Sequence, residues 1–240
     1  MNIIPLKSYN FSKKARKNKN IKHLIIHYTG MQSVRASLAR LISKKHKVSC
    51  HYLIDRKGKI YKMIDENKIA WHAGKSRWRQ FKNLNKSSIG IELENKGHKF
   101  GYQKFSIKQI NVLINLCLLL KKKYRIKDCN ILGHSDIAPL RKLDPGEKFP
   151  WIKLKRKRLG IWYSPGRTKT TQKSFNEKKV RNIFFLNLFK IGYRYFSLKK
   201  NSKLDRKIIT AFQRRFRQNK VNGLIDQETL KISDYLSKNI

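Results

Sequence analysis

The segment Ser88-Ile89-Gly90-Ile91-Glu92-Leu93-Glu94 alternates apolar residues with other residues at the period of a β-strand. Successive side chains of a strand point to opposite faces, so the three apolar side chains share one face, and Gly90, Glu92 and Glu94 share the other. Two carboxylates on one face of an apolar strand are unusual in a chain with only 14 acidic residues. We expect Glu94, near the strand end, to pair with a basic neighbour, which leaves Glu92 as the candidate functional carboxylate.

Further strand and helix patterns surround this segment. Apolar residues recur every three or four positions over 107–123, and Ser106 and Gln109 have capping-box spacing, so a helix is predicted there. Asp55-Arg56-Lys57-Gly58 is typical of a hairpin turn. The other predicted elements are strands at 23–30, 48–54, 59–64 and 130–134 and a helix at 33–46. Strands that alternate with helices predict an α/β fold.

A basic block that contains Pro165-Gly166 divides the chain. Beyond it, helical patterns cover 177–191, 203–217 and 226–237, with Asp226 as the predicted N-cap of the last helix. The predicted organisation is a basic N-terminal arm at 1–20, an α/β domain at 21–152, a linker at 153–175 and a small three-helix domain at 176–240.

The charge of the chain is strongly one-sided: 58 Lys and Arg stand against 14 Asp and Glu among 240 residues, a formal net charge of +44. Because the excess is spread along the whole chain, it fits either attraction to a polyanion or a compositional bias. No zinc-finger, RNP-like or helix-turn-helix signature supports specific nucleic-acid binding. The longest apolar stretch, 110–120, is shorter than the roughly 20 residues that a membrane span needs.

Two histidines and one carboxylate are candidate metal ligands. His27 and His134 each end a short predicted strand, and Asp144 follows His134 by ten residues. Two imidazoles and a carboxylate from separate segments suit a catalytic zinc that keeps one position open for water. Chance placement is the alternative on spacing alone.

Five segments, taken together and in this order, resemble the zinc N-acetylmuramoyl-L-alanine amidases, a family that includes AmpD, phage lysozyme amidases and peptidoglycan recognition proteins. They are 24–29 (Leu-Ile-Ile-His-Tyr-Thr), 48–53 (Val-Ser-Cys-His-Tyr-Leu), 71–74 (Trp-His-Ala-Gly), 88–94, and 133–146 from Gly-His-Ser-Asp to Leu-Asp-Pro-Gly. The resemblance covers about 20–152 and implies a mixed central β-sheet flanked by helices. The tail, with Ile208 to Phe216 and Asn222-Gly223, is similar to the peptidoglycan-binding helical domain of AmiD-type members.

The resemblance implies a role for nine residues. His27, His134 and Asp144 would be the zinc ligands, Glu92 the catalytic acid/base and Lys142 the second catalytic group. The residues implied in substrate binding or cleft shape are Trp71, His72, Asn85 and Arg141. A core role is the alternative for Trp71 and His72, and an ordinary surface lysine is the alternative for Lys142. One departure is Asn83, where AmpD and AmiD have an Arg two residues before the loop Asn, which affects the expected affinity for the stem peptide.

The implied activity is hydrolysis of the amide between N-acetylmuramic acid and L-alanine in peptidoglycan or in its muropeptide fragments. A non-catalytic peptidoglycan-recognition module is the alternative. A secretory signal and a lipidated N-terminal Cys are not evident, since Pro5 and basic residues follow Met1 closely and the first Cys is Cys50. The expected location is therefore the cytoplasm, with the periplasm or outer membrane of AmiD-like enzymes as the alternative. Oligomeric state is open.

Overall fold

The computed structural model describes residues 3–164 and 177–240. The strands are β1 Ile3–Pro5, β2 Phe11–Ser12, β3 His23–Tyr28, β4 Tyr52–Ile54, β5 Ile60–Lys62, β6 Ile69–Ala70, β7 Arg77–Trp78, β8 Phe81–Lys82, β9 Ser88–Leu93 and β10 Ile131–Gly133. The helices are α1 Val34–Ile42, α2 Ile107–Tyr124, α3 His134–Ile137, α4 Trp151–Lys155, α5 Glu177–Ile191, α6 Asp205–Phe216 and α7 Gln227–Lys238.

A six-stranded sheet with the order β1-β5-β4-β9-β3-β10 forms the centre of the fold. All neighbouring pairs are parallel except β4 and β5, the hairpin pair joined by the predicted turn. The mixed α/β architecture predicted from the sequence is confirmed. β9 and β3 are adjacent interior strands, so their side chains lie on the sheet faces away from the two edges.

One face of the sheet packs against α2. The apolar set of β9, from Ile89 to Leu93, joins Leu113 and Leu120 of the helix in one buried core. Ser106 caps α2 as predicted, accepting the Gln109 N–H at 3.1 Å. The Gln109 side chain does not complete a capping box, because its Nε2 donates to the carbonyls of Ile54 and Glu94 instead.

The opposite face is covered at both ends and open in the middle. Near β4, Leu53 packs with Leu41 of α1. At the other end, Ile25 and Leu132 share a buried core with α5, α6 and α7. The floor between the two covered ends belongs to β3 and β9, and this is where a cleft can form.

The predicted N-terminal arm at 1–20 is wrong for its described part. β1 pairs in parallel with β5 through Ile3 and Ile4, and β2 pairs with β6. Arg16 is buried, with its guanidinium donating to the carbonyls of Glu66 and Asn85. Apolar side chains and backbone pairing outweigh the local basic charge here.

The three predicted C-terminal helices are present within two residues of their expected bounds. Asp226 caps α7 by accepting the Thr229 N–H at 3.0 Å. Part of the predicted linker, 165–176, lies outside the described residues, and Leu154 and Leu159 of its first part are buried in the α2 core. The division into domains therefore stays a prediction.

Candidate active site

His27 and Glu92 are placed side by side by the register of two central strands. β3 and β9 pair in parallel from His23 opposite Ser88, which sets His27 opposite Glu92. Side chains at paired positions of neighbouring strands share a face, so both lie on the open floor of the sheet. The two residues border one cavity of about 800 Å³.

His134 lies one residue beyond the strand that was expected to end with it. β10 ends at Gly133, and His134 is the first residue of the single-turn helix α3. The N–H of Ser135 donates to the carbonyl of Asp144 at 2.8 Å, which brings the later loop back over the start of α3. Two candidate ligands ten residues apart thereby meet at the edge of β10.

The three candidate ligands form a nearly equilateral triangle. His27 Nδ1 lies 2.9 Å from His134 Nδ1, and each of these nitrogens lies 3.0 Å from Asp144 Oδ2. All three residues are buried. Ligands about 2.0–2.2 Å from one tetrahedral zinc lie about 3.3–3.6 Å apart, so the triangle is slightly smaller than one face of a zinc tetrahedron.

Hydrogen bonds on the far side of each imidazole determine which nitrogen faces the triangle. His134 Nε2 lies 3.2 Å from the carbonyl of Ala73, an acceptor, and 3.4 Å from Arg141 Nη2. Because Arg141 Nη2 already donates to the carbonyls of Ala73 and Lys75, we assign the proton to His134 Nε2. His27 Nε2 lies 3.0 Å from His72 Nδ1, and His72 Nε2 lies 3.2 Å from the hydroxyl of Ser88.

The His72 relay has one consistent direction. The Ser88 hydroxyl donates to the Leu84 carbonyl at 2.6 Å and therefore accepts from His72 Nε2. His72 Nδ1 then accepts from His27 Nε2–H. Buried imidazoles that are metal ligands usually donate their other N–H in this way.

This assignment leaves three lone-pair atoms within 3.0 Å of one another and no proton among them. Protonation of His27 does not supply a proton here, because burial and the neighbouring His134 lower the pKa of His27 to about 4. The donor set therefore fits a shared cation, and its two nitrogens and one oxygen fit zinc.

Segment 71–74 is what holds both imidazoles in place. Asn85 Oδ1 accepts the backbone N–H groups of His72 at 3.1 Å and of Ala73 at 2.6 Å. Gly90 leaves the space that the His72 ring occupies, since a Cβ at this position would lie 2.4 Å from the ring. A glycine inside a strand is a known signal of close approach, and it is the sequence signal by which the packing of His72 against β9 was detectable.

Glu92 borders the cavity with one carboxylate oxygen unpartnered. Its Oε2 is buried and has no hydrogen-bond partner among the described residues. Burial, reinforced by the nearby Asp144, raises the pKa of Glu92 to about 8, while Lys142 opposes the shift. Glu94, expected to pair with a basic side chain, accepts the backbone N–H of Arg56 at 2.9 Å.

The remaining candidates divide into cleft wall and support. Trp71, His72, Arg141 and Lys142 border the same cavity as the triangle, whereas Asn85 does not. Arg141 is one of the residues implied in substrate binding or cleft shape. Its Nε and Nη2 donate to the carbonyl of Lys75 at 3.1 and 2.9 Å, and Nη2 also donates to that of Ala73.

Sequence reasoning missed one side of the cleft. His98, which had no assigned role, borders the cavity, with its Nδ1 2.9 Å from the Tyr28 hydroxyl and its Nε2 3.1 Å from Glu147. Arg40 of α1 also borders the cavity. These contacts join segments far apart in the chain, and no local pattern announces them.

Comparison with known proteins agrees with this geometry. A family profile described as N-acetylmuramoyl-L-alanine amidase matches residues 17–147. N-acetylmuramoyl-L-alanine amidase AmiD of Escherichia coli K12 is 36% identical over 239 residues, covering 90% of this chain and 82% of its own.

Two solved structures match nearly the whole fold. The complex of E. coli AmiD with the substrate anhydro-N-acetylmuramic acid-L-Ala-D-gamma-Glu-L-Lys superposes with a TM-score of 0.81 at 34% identity, covering 95% of this chain and 92% of that one. AmpDh3 from Pseudomonas aeruginosa, in complex with anhydromuramic pentapeptide, gives a TM-score of 0.83 at 29% identity, with 97% and 96% coverage.

Proposed function

The chain belongs to the N-acetylmuramoyl-L-alanine amidase family, and on that premise we propose that it cuts its substrate with a zinc ion held by His27, His134 and Asp144. The reaction is hydrolysis of the amide between N-acetylmuramic acid and L-alanine, in peptidoglycan turnover. The observation that carries the zinc assignment is the triangle of three ligand atoms 2.9–3.0 Å apart.

Glu92 is the proposed acid/base. Zinc bound at the triangle would polarise the scissile carbonyl and lower the pKa of a bound water to about 7. The carboxylate of Glu92 takes the proton of the attacking water and delivers it to the amine of L-alanine as the amide bond breaks. Burial raises the pKa of Glu92 to about 8 in the metal-free chain. A bound cation would lower this pKa towards neutrality, where a carboxyl can both accept and release a proton.

Lys142 is the proposed oxyanion group. It borders the cavity two residues before the ligand Asp144, and its charge is close enough to influence the pKa of Glu92. An ammonium aimed at the carbonyl oxygen stabilises the negative charge that develops when water attacks. Arg141, anchored on the carbonyls of Lys75 and Ala73, supports the 71–74 wall, and Trp71 contributes a surface for the substrate.

The proposed substrate is a muropeptide of the anhydromuramyl type seen with the related AmiD and AmpDh3. We also propose that α5–α7 form the peptidoglycan-binding unit expected from the sequence. The described residues include no helix long and apolar enough to cross a membrane. The preferred substrate tests the location of the protein. A preference for recycled muropeptide fragments would favour the cytoplasm, and a preference for intact peptidoglycan would favour the periplasm or outer membrane.

The test is to incubate the purified chain with anhydromuropeptides and, separately, with intact sacculi, and to read the products by mass spectrometry. The proposal predicts free peptide beginning with L-Ala. A matched His134→Ala variant is expected to release none and to contain no zinc by elemental analysis. Binding to sacculi without cleavage at any zinc concentration would contradict the enzyme assignment and favour a recognition module.

A further inference from the structure

The helical turn that begins with His134 is stabilised by the carboxylate of Asp136, a residue of the same turn. Asp136 is 1% exposed, and its Oδ2 accepts the Gly133 N–H at 2.7 Å, across the start of α3. α3 spans only four residues, so a single turn and this one contact define its beginning. Such a short helix needs support from outside to hold a side chain in a fixed position.

That support comes from the C-terminal helices. The Tyr193 hydroxyl donates to Asp136 Oδ1 at 2.6 Å, and Arg215 Nη1 of α6 donates to Asp136 Oδ2. A second guanidinium nitrogen, Nη2, donates to the Ile131 carbonyl of β10 at 3.1 Å. The guanidinium of Arg215 therefore bridges β10, the strand before His134, and α3, the helical turn that begins with His134.

The guanidinium itself is held rigidly. Arg215 is 2% exposed, and its charge lies 4.1 Å from the centroid of the Trp151 ring and 5.0 Å from that of Phe216. Tyr193 is fully buried. A buried, hydrogen-bonded charge pair between two parts of a chain fixes one arrangement, because any other leaves a charge without a partner.

We propose that Arg215 and Tyr193 are positioning residues for the amidase reaction, acting through Asp136 to hold the zinc ligand His134. Two residues of the C-terminal segment, far beyond the ligand in the sequence, thus form part of the support of the active site. The same turn sets Asp144, since Ser135 N–H donates to its carbonyl. This inference rests on the proposed zinc site.

The C-terminal helices contain a matched pair for comparison. Arg181 of α5 donates to Asp205 of α6 through Nε at 2.9 Å and through Nη2 at 2.6 Å, and both residues are at least 90% buried. Arg181 also donates to the backbone carbonyls of Ser197 and Lys200, neither of which belongs to β10 or α3. Losing this pair weakens the helices without releasing Asp136.

The experiment compares Tyr193→Phe, Arg215→Met and Arg215→Lys with Arg181→Met in the full chain. Zinc affinity by chelator competition, kcat and KM on an anhydromuropeptide, and amide hydrogen exchange over 133–138 in the metal-free protein are measured for each. We expect Tyr193→Phe and Arg215→Met to lower both zinc affinity and kcat about tenfold, with KM within about twofold, and to speed exchange. Arg215→Lys keeps the positive charge but not the two-pronged guanidinium, so its zinc affinity and kcat should lie between those of Arg215→Met and those of the wild type.

Arg181→Met should lose thermal stability while it keeps wild-type zinc affinity and kcat. The inference is overturned if Tyr193→Phe and Arg215→Met behave like Arg181→Met, losing stability alone. If Arg215→Met does not fold, the milder Tyr193→Phe decides. Wild-type protein that binds no zinc would overturn the proposed function itself, which separates the two failures.

Discussion

Glu92 differs from Asp144, the other carboxyl group that borders the cleft, because one of its carboxylate oxygens has no hydrogen-bond partner among the described residues. Asp144 faces two imidazoles, whereas Glu92 Oε2 is buried and unpartnered among the described residues. Burying a polar group without a hydrogen bond costs on the order of 1–3 kcal/mol. A cost of this kind at the floor of a cleft is expected where a group must exchange protons with a substrate.

Replacing Glu92 with Gln should reduce turnover by at least about 10²-fold, since general acid/base catalysis contributes that much or more. The zinc content should stay at one ion per chain, because Glu92 is not a ligand of the triangle. Peptide release and elemental analysis on the same preparation measure both quantities. Near-normal turnover by this variant would remove Glu92 from the mechanism.

Replacing Lys142 with Met should lower kcat about 10²–10³-fold, since one oxyanion donor is worth that much. The change keeps most of the side-chain length and removes only the charge. Lys99→Met, a change at an exposed lysine on the same cavity, is the matched control and should lose far less. Equal losses in the two variants would mean that the cavity needs positive charge in general, not an oxyanion group at 142.

The two faces of β9 have different roles: one packs in the core against α2, and the other borders the candidate active site. Ile89 and Ile91 pack on the α2 core, and Gly90 and Glu92 face the site. Gly90 is required by the His72 ring, which accepts the Nε2–H of His27. One strand thus supplies the acid/base and the space that orients a ligand.

Replacing Gly90 with Ala should lower zinc affinity about tenfold, because a Cβ 2.4 Å from the His72 ring displaces the partner of His27. Ile89→Val, on the other face of the same strand, is the control. It should cost about 0.5–1.5 kcal/mol of stability and leave zinc affinity unchanged. Chelator competition and thermal unfolding on both variants make the comparison, and an unchanged affinity in Gly90→Ala would contradict the relay.

Most elements of this fold were predictable because period and turn chemistry are local. The alternation in 88–94, the Ser106 cap and the hairpin turn at 55–58 are each visible within a few residues. The family resemblance directed attention to all nine candidate site residues. The hydrogen bonds of His72, the contacts of Asn85 with 72–73 and the place of His98 depend on packing between distant segments. Of these, only the packing of His72 against β9 has a local signal, Gly90. The predicted arm at 1–20 was wrong over its described residues, because the basic charge of this segment outweighed the short apolar pattern of the edge strand β1 in the prediction.

Over the whole molecule, buried histidines make the metal-free protein sensitive to acid. Burial lowers the pKa of His23 and His27 to about 4 and that of His51 to about 3. Unfolding returns each to about 6.5. Between these values the unfolded chain binds more protons than the folded one, so stability falls as pH falls. Burial also lowers the pKa of His72. Glu92, whose pKa is raised to about 8, acts in the opposite direction but is one group against four.

We therefore expect the free energy of unfolding of the chelated protein to drop by on the order of 3 kcal/mol from pH 6.5 to 4.5. Urea unfolding at a series of pH values measures it. Zinc should raise stability at the upper end of this range, where the ligands are deprotonated, and its effect should fade towards the lower end. Stability that is flat or rises with acid would contradict the assigned burial of these imidazoles.

The most direct test of the zinc amidase account is one assay of peptide release from anhydromuropeptide before chelation, after chelation and after zinc is restored. The account predicts full release of the L-Ala peptide, then none, then recovery, with His27→Ala protein inactive throughout. Release that continues in metal-free protein, at a zinc content verified to be negligible, would contradict the assignment of His27, His134 and Asp144 as the ligands of a catalytic ion.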